Sequence, residues 1–166
     1  RASEYRPEGT RITVCTVGEE YVTAFARGVT QQGPHEYNYD DGSLVWPTCI
    51  AIDRETNVYV SDEWLNRISR FTKDGDYIGK WQERPGNGDG ELNRPSGLAF
   101  DQDDNLYVVD SGNHRIQKFT KDGQFLAKWG REGSGDGEFN MPWGIDIDKK
   151  GNVYIADWRN DRIQKF

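Results

Sequence analysis

The sequence predicts an all-β protein built from repeated four-stranded antiparallel units, and an internal repeat is the first observation behind this fold class. Residues 93–119 and 140–166 align without a gap and share 13 of 27 residues. A more diverged copy begins 48 positions before the first of these, so the period is 47 to 48 residues. The second observation is that no stretch carries helical spacing over three turns. A period of this length without helices indicates stacked β-sheets.

Each period contains four short segments with the composition of strands. In the best-preserved copy these segments are 98–101, 106–109, 115–119 and 125–129. The first is apolar, the second is rich in β-branched and aromatic residues, and the third alternates apolar with polar residues. An Asp-Gly pair follows the third segment and supplies the positive φ that a hairpin turn needs. Four short strands joined by turns describe one blade of a β-propeller.

The motif within the repeat resembles a known family. Asp-x-x-Asn-x-Arg-Ile-Gln-x-Phe, preceded by Gly-x-Gly-Asp-Gly-Glu-Phe-x-x-Pro, resembles the NHL repeat. The Asn-His pair of the family name stands here as Asn113-His114, followed by Arg115 rather than leucine. The resemblance covers almost everything from Trp46 to Phe166. It implies a β-propeller of four-stranded antiparallel blades, usually six to a ring, of which this chain holds about half.

The repeat divides the chain into four predicted segments. They are a diverged half-blade of two outer strands with a long crossover at 1–45, NHL blades at 46–92 and 93–139, and an incomplete three-stranded blade at 140–166. Half a propeller leaves sheet faces bare. We therefore expect either a piece of a longer protein or a homo-oligomer in which two copies complete a ring. The terminal surfaces would expose the apolar residues Val14, Val22, Ile163 and Phe166.

Composition argues against two classes of partner. The formal net charge of −7 disfavours binding to nucleic acid or to an anionic membrane, and no basic stripe is visible. No stretch reaches transmembrane length and no targeting segment is recognisable, so the compartment is not indicated; family resemblance favours an extracytoplasmic one. Cys15 and Cys49 are interpreted as small buried hydrophobic residues rather than as a disulfide.

Recurring acidic residues are interpreted as structural. Asp53, Asp101 and Asp148 each stand four residues before an asparagine, a spacing in which aspartate caps its own tight turn without an ion. The Gly-rich runs at 86–90 and 133–137 lack the Lys-Ser/Thr of a phosphate loop and are interpreted as crossovers between blades.

An aspartate five residues before an arginine also recurs in every copy, as a brace between strands would. A catalytic pair would be needed only once. The predicted brace residues are Asp62, Arg67, Asp110, Arg115, Asp157 and Arg162.

Enzymes of this family provide a specific comparison. Peptidyl-hydroxyglycine amidating lyases resemble these repeats and carry zinc-binding histidines directly after the conserved proline. Those positions are Thr48, Ser96 and Trp143 here, and the chain holds only His35 and His114, so three-histidine zinc chemistry is excluded within these residues. Gluconolactonase-like propellers bind metal through inward carboxylates, and Asp146 is the one such acidic residue. We predict no metal and no cofactor.

Non-repeating tryptophans mark the candidate ligand face. Loops between second and third strands, and segments leading into first strands, share one face of a propeller. Aromatic rings flanked by Asp, Asn and Arg suit a sugar ring or an extended peptide, although packing on a neighbouring blade is the alternative. The predicted rim residues are Trp46, Trp64, Asn66, His114, Trp143, Asp146, Trp158 and Arg159.

These observations favour a non-enzymatic binding module that recognises a protein, peptide or glycan. The alternative is part of a propeller enzyme, amidating-lyase-like or gluconolactonase-like, whose catalytic residues lie in blades outside this chain.

Overall fold

The computed structural model describes residues 11–15, 21–25, 27–28, 30–31, 37–38, 41–82 and 84–166, with side chains described from residue 41 onward. His35 and the side chains of Cys15, Val14 and Val22 lie outside the described residues. The burial expected for Cys15 and the exposure expected for Val14 and Val22 therefore stay predictions.

The secondary structure is almost entirely β, as predicted. The strands are β1 Ile12–Cys15, β2 Tyr21–Phe25, β3 Arg27–Gly28, β4 Thr30–Gln31, β5 Tyr37–Asn38, β6 Ser43–Leu44, β7 Pro47–Ile52, β8 Val58–Asp62, β9 Arg67–Phe71, β10 Tyr77–Trp81, β11 Pro95–Phe100, β12 Asn105–Asp110, β13 Arg115–Thr120, β14 Phe125–Trp129, β15 Pro142–Ile147, β16 Val153–Asp157 and β17 Arg162–Lys165. Two single-turn 3-10 helices, Ser111–Asn113 and Trp158–Asn160, lie in the loops after β12 and β16.

Three antiparallel sheets dominate the fold. Sheet I has the order β7-β8-β9-β10, sheet II the order β11-β12-β13-β14, and sheet III consists of β15-β16-β17. Near the amino terminus, β1 pairs with β2, β4 pairs with β5, and β3 runs parallel to β6. The all-β fold class is thus confirmed.

The core lies between neighbouring sheets because each strand alternates its side chains between two faces. Tyr59 and Ile68 of sheet I pack against Leu98, Leu106 and Val108 of sheet II. A second cluster repeats this contact between sheets II and III, with Val109, Ile116, Phe139, Val153 and Ile155 fully or almost fully buried. Each buried aliphatic or aromatic side chain contributes about 1.5–3 kcal/mol to stability relative to exposure.

Apolar side chains remain exposed on the outward faces of sheets I and III. Ile50 and Ile52 are 52% and 58% exposed on β7, although they align with Leu98 and Phe100, which face sheet I in the next repeat. Ile163 is 67% exposed on β17. These surfaces match the expectation of bare sheet faces, while self-association stays a prediction. Cys49 differs from the buried residue expected, since it is a half-buried free thiol near the Leu98 carbonyl.

Candidate functional site

The four non-repeating tryptophans lie at one end of the sheets. Each first strand begins where the second ends, because Pro47, Pro95 and Pro142 pair with Asp62, Asp110 and Asp157. The loops after β8 and β16 therefore lie beside the starts of β7 and β15. We call this end the loop face and define it by Trp46, Trp64, Trp143 and Trp158, which are 51%, 61%, 36% and 55% exposed.

A buried polar network beneath the loop face fixes these loops in sheets II and III. Asp110 Oδ2 accepts hydrogen bonds from Arg115 Nε at 2.7 Å, Asn113 Nδ2 at 2.9 Å and Gln117 Nε2 at 3.0 Å. The Asp110 Oδ1 atom accepts the Asn93 N–H at 2.6 Å. The Arg115 guanidinium in turn donates to carbonyls of the Gly-rich crossover. The network ties the crossover to the loop that carries the candidate residues.

Burial raises the pKa of Asp110, in opposition to these hydrogen bonds. The same network recurs in sheet III around Asp157 and Arg162, 2.9 Å apart. There the hydrogen bonds from Asn140, Asn160 and Arg162 outweigh the effect of burial and lower the pKa of Asp157.

Sheet I departs from the predicted brace. Asp62 and Arg67 are paired in register. The Asp62 carboxylate instead accepts the backbone N–H groups of Val45, Trp46 and Leu65, at 2.7, 3.1 and 3.0 Å. Arg67 donates to the Ser43 carbonyl at 2.6 Å. Leu65 and Ser69 stand where sheets II and III have the Asn and Gln side chains of the network, so two of its donors are absent from sheet I, and N–H groups of the crossover bind the carboxylate.

Asn66 and His114 join neighbouring sheets. Both have left-handed backbones, with φ of 52° and 53°. Asn66 Oδ1 accepts the Arg94 N–H at 2.8 Å, and His114 Nδ1 accepts the Met141 N–H at 3.2 Å. Each acceptor thus holds the residue before the first proline of the following sheet. The structure gives both residues of the predicted rim a contact between sheets.

Hydroxyl groups add further hydrogen bonds between the same pairs of sheets. Between sheets I and II, Ser61 Oγ donates to the Ser96 carbonyl at 2.5 Å, and Thr48 Oγ1 donates to the Pro95 carbonyl at 3.2 Å. Between sheets II and III, Ser111 Oγ donates to the Pro142 carbonyl at 2.6 Å. Ser96 Oγ donates to the Trp143 carbonyl at 2.8 Å. We call this arrangement of acceptor, hydroxyls and proline-led strand the inter-sheet joint.

Sheet III carries different side chains at the positions that form the joint in sheet II. Trp143 aligns with Ser96, and Trp158 aligns with Ser111. The two indole rings lie edge to face with centroids 6.0 Å apart. Asp161 aligns with Asn66 and His114, has the same left-handed backbone at φ 50°, and is exposed. Its carboxylate makes no hydrogen bond or ion pair with residues 41–82 or 84–166. Sequence reasoning missed Asp161, although its alignment with two polar residues was a usable signal.

The remaining rim candidates fall into two places. Trp46 and Trp64 lie near each other in sheet I, because the N–H of Glu63, which precedes Trp64, donates to the Trp46 carbonyl at 3.1 Å. Glu63 also pairs with Arg94 of sheet II. In sheet III, the Arg159 guanidinium lies 5.4 Å from the centre of the Trp158 ring.

Asp146 is exposed on β15 and accepts the Ile147 N–H at 2.9 Å. No three His, Cys, Asp or Glu side chains within the part of the chain that the structure describes are placed to hold a metal ion.

The three aspartates that stand four residues before an asparagine bind within their own turns, as predicted. Asp148 accepts the side-chain amide of Asn152 at 2.6 Å, and the N–H groups of Lys150 and Asn152 at 2.8 and 2.9 Å. These hydrogen bonds lower the pKa of Asp148 to about 2, with the Asn152 side chain as the largest cause. Asp53 and Asp101 repeat this arrangement with Asn57 and Asn105.

Comparison with known proteins agrees with this architecture. The model of the NHL repeat matches residues 92–119 and 139–166. A search of curated protein sequences finds no match to the chain. Among the helices of the described residues, none is long and apolar enough to span a bilayer.

Solved structures with the same fold include proteins of different kinds. An auxiliary nutrient binding protein from Bacteroides thetaiotaomicron is similar over 96% of this chain and 43% of its own, with 17% identity and a TM-score of 0.67. Virginiamycin B lyase from Staphylococcus aureus is similar over 94% of this chain and 48% of its own, with 17% identity and a TM-score of 0.59. A Bacteroides thetaiotaomicron protein of unknown function has 23% identity and a TM-score of 0.63, over 92% of this chain and 46% of its own.

The chain therefore spans about half the length of these structures. At this level of identity the likeness establishes the fold alone, because one fold serves many functions. The motif, the sheet topology and the family match lead to one conclusion: residues 92–119 and 139–166 are NHL repeats, and the chain has the β-propeller architecture that they build.

Proposed function

We propose that this chain is a non-enzymatic binding module that recognises a protein, peptide or glycan on its loop face. The observation that carries the proposal is the exposure of four non-repeating tryptophans at one end of the sheets. Exposed indole rings in polar loops offer a π-face and an N–H donor, and tryptophan is enriched among residues that dominate binding energy.

The two repeating tryptophans provide an internal contrast. Trp81 and Trp129 end fourth strands, are half-buried, and make ring contacts with Tyr59 and Tyr107 in the core between sheets. Core packing accounts for these rings. It does not account for Trp64 and Trp158, which have more than half of their surface in solvent.

The opposite end of the sheets lacks such rings in the described turns. The turns at Thr72–Gly75 and Thr120–Gly123 repeat almost unchanged and are held by the same backbone hydrogen bonds. A turn sequence that repeats unchanged is expected where the residues are needed only to form the turn. The loop face is where the repeats differ from one another, and this variation supports its role in recognition.

Binding to glycan and peptide arrays tests the proposal. The unmodified chain is compared with the Trp64→Ala, Trp143→Ala and Trp158→Ala variants, and with Lys73→Ala on the opposite face as the matched control. Loss of an indole ring that contacts the ligand should reduce the binding free energy by about 1–3 kcal/mol. Lys73→Ala should leave the affinity unchanged. Ligands that bind all variants equally would contradict the proposal. Turnover of a bound ligand would instead support the enzyme alternative.

A further inference from the structure

We propose that Asn87 is a site of spontaneous deamidation, and that the hydrogen bonds which hold the peptide between Asn87 and Gly88 set its rate. Asn87-Gly88 is the one asparagine–glycine pair in the sequence. The pair lies in the Gly-rich crossover between sheets I and II, so both sheets that flank it are part of the chain. This chemistry needs no bound ligand and is independent of the proposed function.

The reaction is an intramolecular acyl transfer. The backbone nitrogen of Gly88 attacks Cγ of Asn87, a new C–N bond closes a succinimide ring, and the bond from Cγ to Nδ2 breaks. The proton of the Gly88 N–H leaves with the side-chain nitrogen as ammonia. Water then opens either carbonyl of the ring, which gives aspartate or isoaspartate at position 87. Asparagine is a thermally labile side chain, and glycine has no Cβ to hinder the attacking nitrogen.

The side chain of Asn87 is accessible for this reaction. It is exposed, and its amide has no hydrogen-bond partner among residues 41–82 and 84–166. Other side-chain amides donate to aspartate carboxylates and cannot reach the following backbone nitrogen without breaking that contact. These asparagines are Asn57, Asn105, Asn113, Asn152 and Asn160.

The reacting peptide is held at both of its polar atoms. Arg115 Nη1 donates to the Asn87 carbonyl at 2.8 Å. The Gly88 N–H donates to Glu91 Oε2, also at 2.8 Å. Ring closure removes the hydrogen that Glu91 binds, so this contact is lost on the way to the succinimide. Because both contacts stabilise the unreacted peptide, the fold slows the reaction relative to an open chain.

The crossover between sheets II and III has the same geometry without the reactive amide. Arg162 Nη1 donates to the Ser134 carbonyl at 2.9 Å, and the Gly135 N–H donates to Glu138 Oε2 at 2.9 Å. A serine hydroxyl cannot form a succinimide. Asn87→Ser is therefore a substitution that the repeat already accommodates.

Deamidation would affect the buried brace beneath the loop face. Arg115 binds the carbonyls of both Asn87 and Gly88, and it pairs with Asp110. The aspartate product keeps the length of the main chain and adds one negative charge. The isoaspartate product instead inserts a methylene group into the main chain, between positions whose carbonyls Arg115 holds together. The isoaspartate form should therefore loosen the crossover more than the aspartate form.

Peptide mapping by mass spectrometry tests the inference on the full chain, kept at neutral pH for weeks. We expect Asn87 to exchange its amide for an acid before any other asparagine, and about tenfold faster in guanidinium chloride. Glu91→Ala should speed the reaction in the folded chain by about tenfold, the factor expected for loss of one charge-assisted hydrogen bond. Glu138→Ala, the same change in the other crossover, should leave the rate unchanged.

Three results would overturn the inference: no conversion of Asn87, earlier conversion of another asparagine, or a rate that neither denaturant nor Glu91→Ala increases. If Glu91→Ala fails to fold by circular dichroism, the ratio of the denatured and folded rates of the unmodified chain decides. The purified isoaspartate form should melt at a lower temperature than the Asn87→Asp variant. Equal midpoints would overturn the link to the brace of Arg115.

Discussion

The indole rings of Trp143 and Trp158 lie edge to face at the two positions that Ser96 and Ser111 hold in the preceding sheet. In sheet II the two hydroxyls lie 2.6 Å apart and hold the start of β15. The two positions are thus polar in sheet II and aromatic in sheet III. The loop face of sheet III therefore differs from that of sheet II at both positions.

Replacing Gly97 by alanine should destabilise the chain, because the new methyl group would clash with the Trp143 carbonyl and with Ile145 in β15. We expect a loss of about 1–3 kcal/mol in the free energy of unfolding, the usual cost of overpacking. Urea denaturation measures this loss. The matched control is Gly144→Ala, for which the contact with Ala156 at 3.5 Å is ordinary. Equal losses in both variants would show that the two sheets are not packed as described.

Replacing Asp110 by alanine should cost about 3–5 kcal/mol, because Arg115 would remain buried without its carboxylate partner. Asp110 is 0% exposed, and the ion pair spans 2.7 Å. The control is Asp122→Ala, which removes an exposed partner of Arg70 and should cost less than about 1 kcal/mol. Chemical denaturation monitored by tryptophan fluorescence distinguishes the two. Similar stabilities would refute the role of Asp110 as a buried brace.

Replacing Tyr59 by phenylalanine should cost about 1–2 kcal/mol, because its hydroxyl donates across the sheets to the Lys121 carbonyl at 2.9 Å. Burial raises the pKa of Tyr59, as expected for a phenol inside the core. Tyr154 holds the same position in sheet III, but among residues 41–82 and 84–166 its hydroxyl contacts only Asp148 of its own sheet, at 3.2 Å. Tyr154→Phe should therefore change the thermal midpoint less, and an equal shift for both variants would contradict the cross-sheet role.

The turn at Asp148 should respond to acid in a defined window. The pKa of Asp148 is lowered from 3.8 to about 2 in the folded chain, so the ionised carboxylate favours folding. That contribution is complete above pH 3.8 and is lost as the pH falls through about 2. Asp148→Asn should therefore be less stable than the unmodified chain at neutral pH, with the difference shrinking in that window. Thermal melts across the pH range check this, with Lys150→Gln as control; a difference independent of pH would refute it.

The sequence predicted the repeating architecture better than the contacts between repeats. Strands follow from local alternation and from Asp-Gly turns, and the network of Asp110 and Arg115 follows from a spacing of five residues across one hairpin. The hydrogen bond between His114 and Met141 joins residues 27 positions apart. This hydrogen bond depends on the left-handed backbone conformation of both His114 and Met141, which the local sequence does not specify.

Sheet I shows a different limit of sequence reasoning. Asp62 and Arg67 have the spacing of the other braces, yet Asp62 binds the backbone of Val45, Trp46 and Leu65. The spacing places two side chains on neighbouring strands, but the crossover decides which donors reach the carboxylate. Alignment of Trp143 and Trp158 with Ser96 and Ser111 was available from the repeat alone. Only the packing of the sheets shows that Ser96 and Ser111 contact the first strand of the next sheet, β15.

The acceptors at Asn66 and His114 recognise a backbone N–H rather than a side chain. The donor position can therefore change its identity without loss of the contact, as it does between Arg94 and Met141. The side chain at this position differs between the two contacts: Arg94 is exposed and pairs with Glu63, whereas Met141 is buried. One repeat can therefore change this side chain and keep the backbone contact that assembles the sheets.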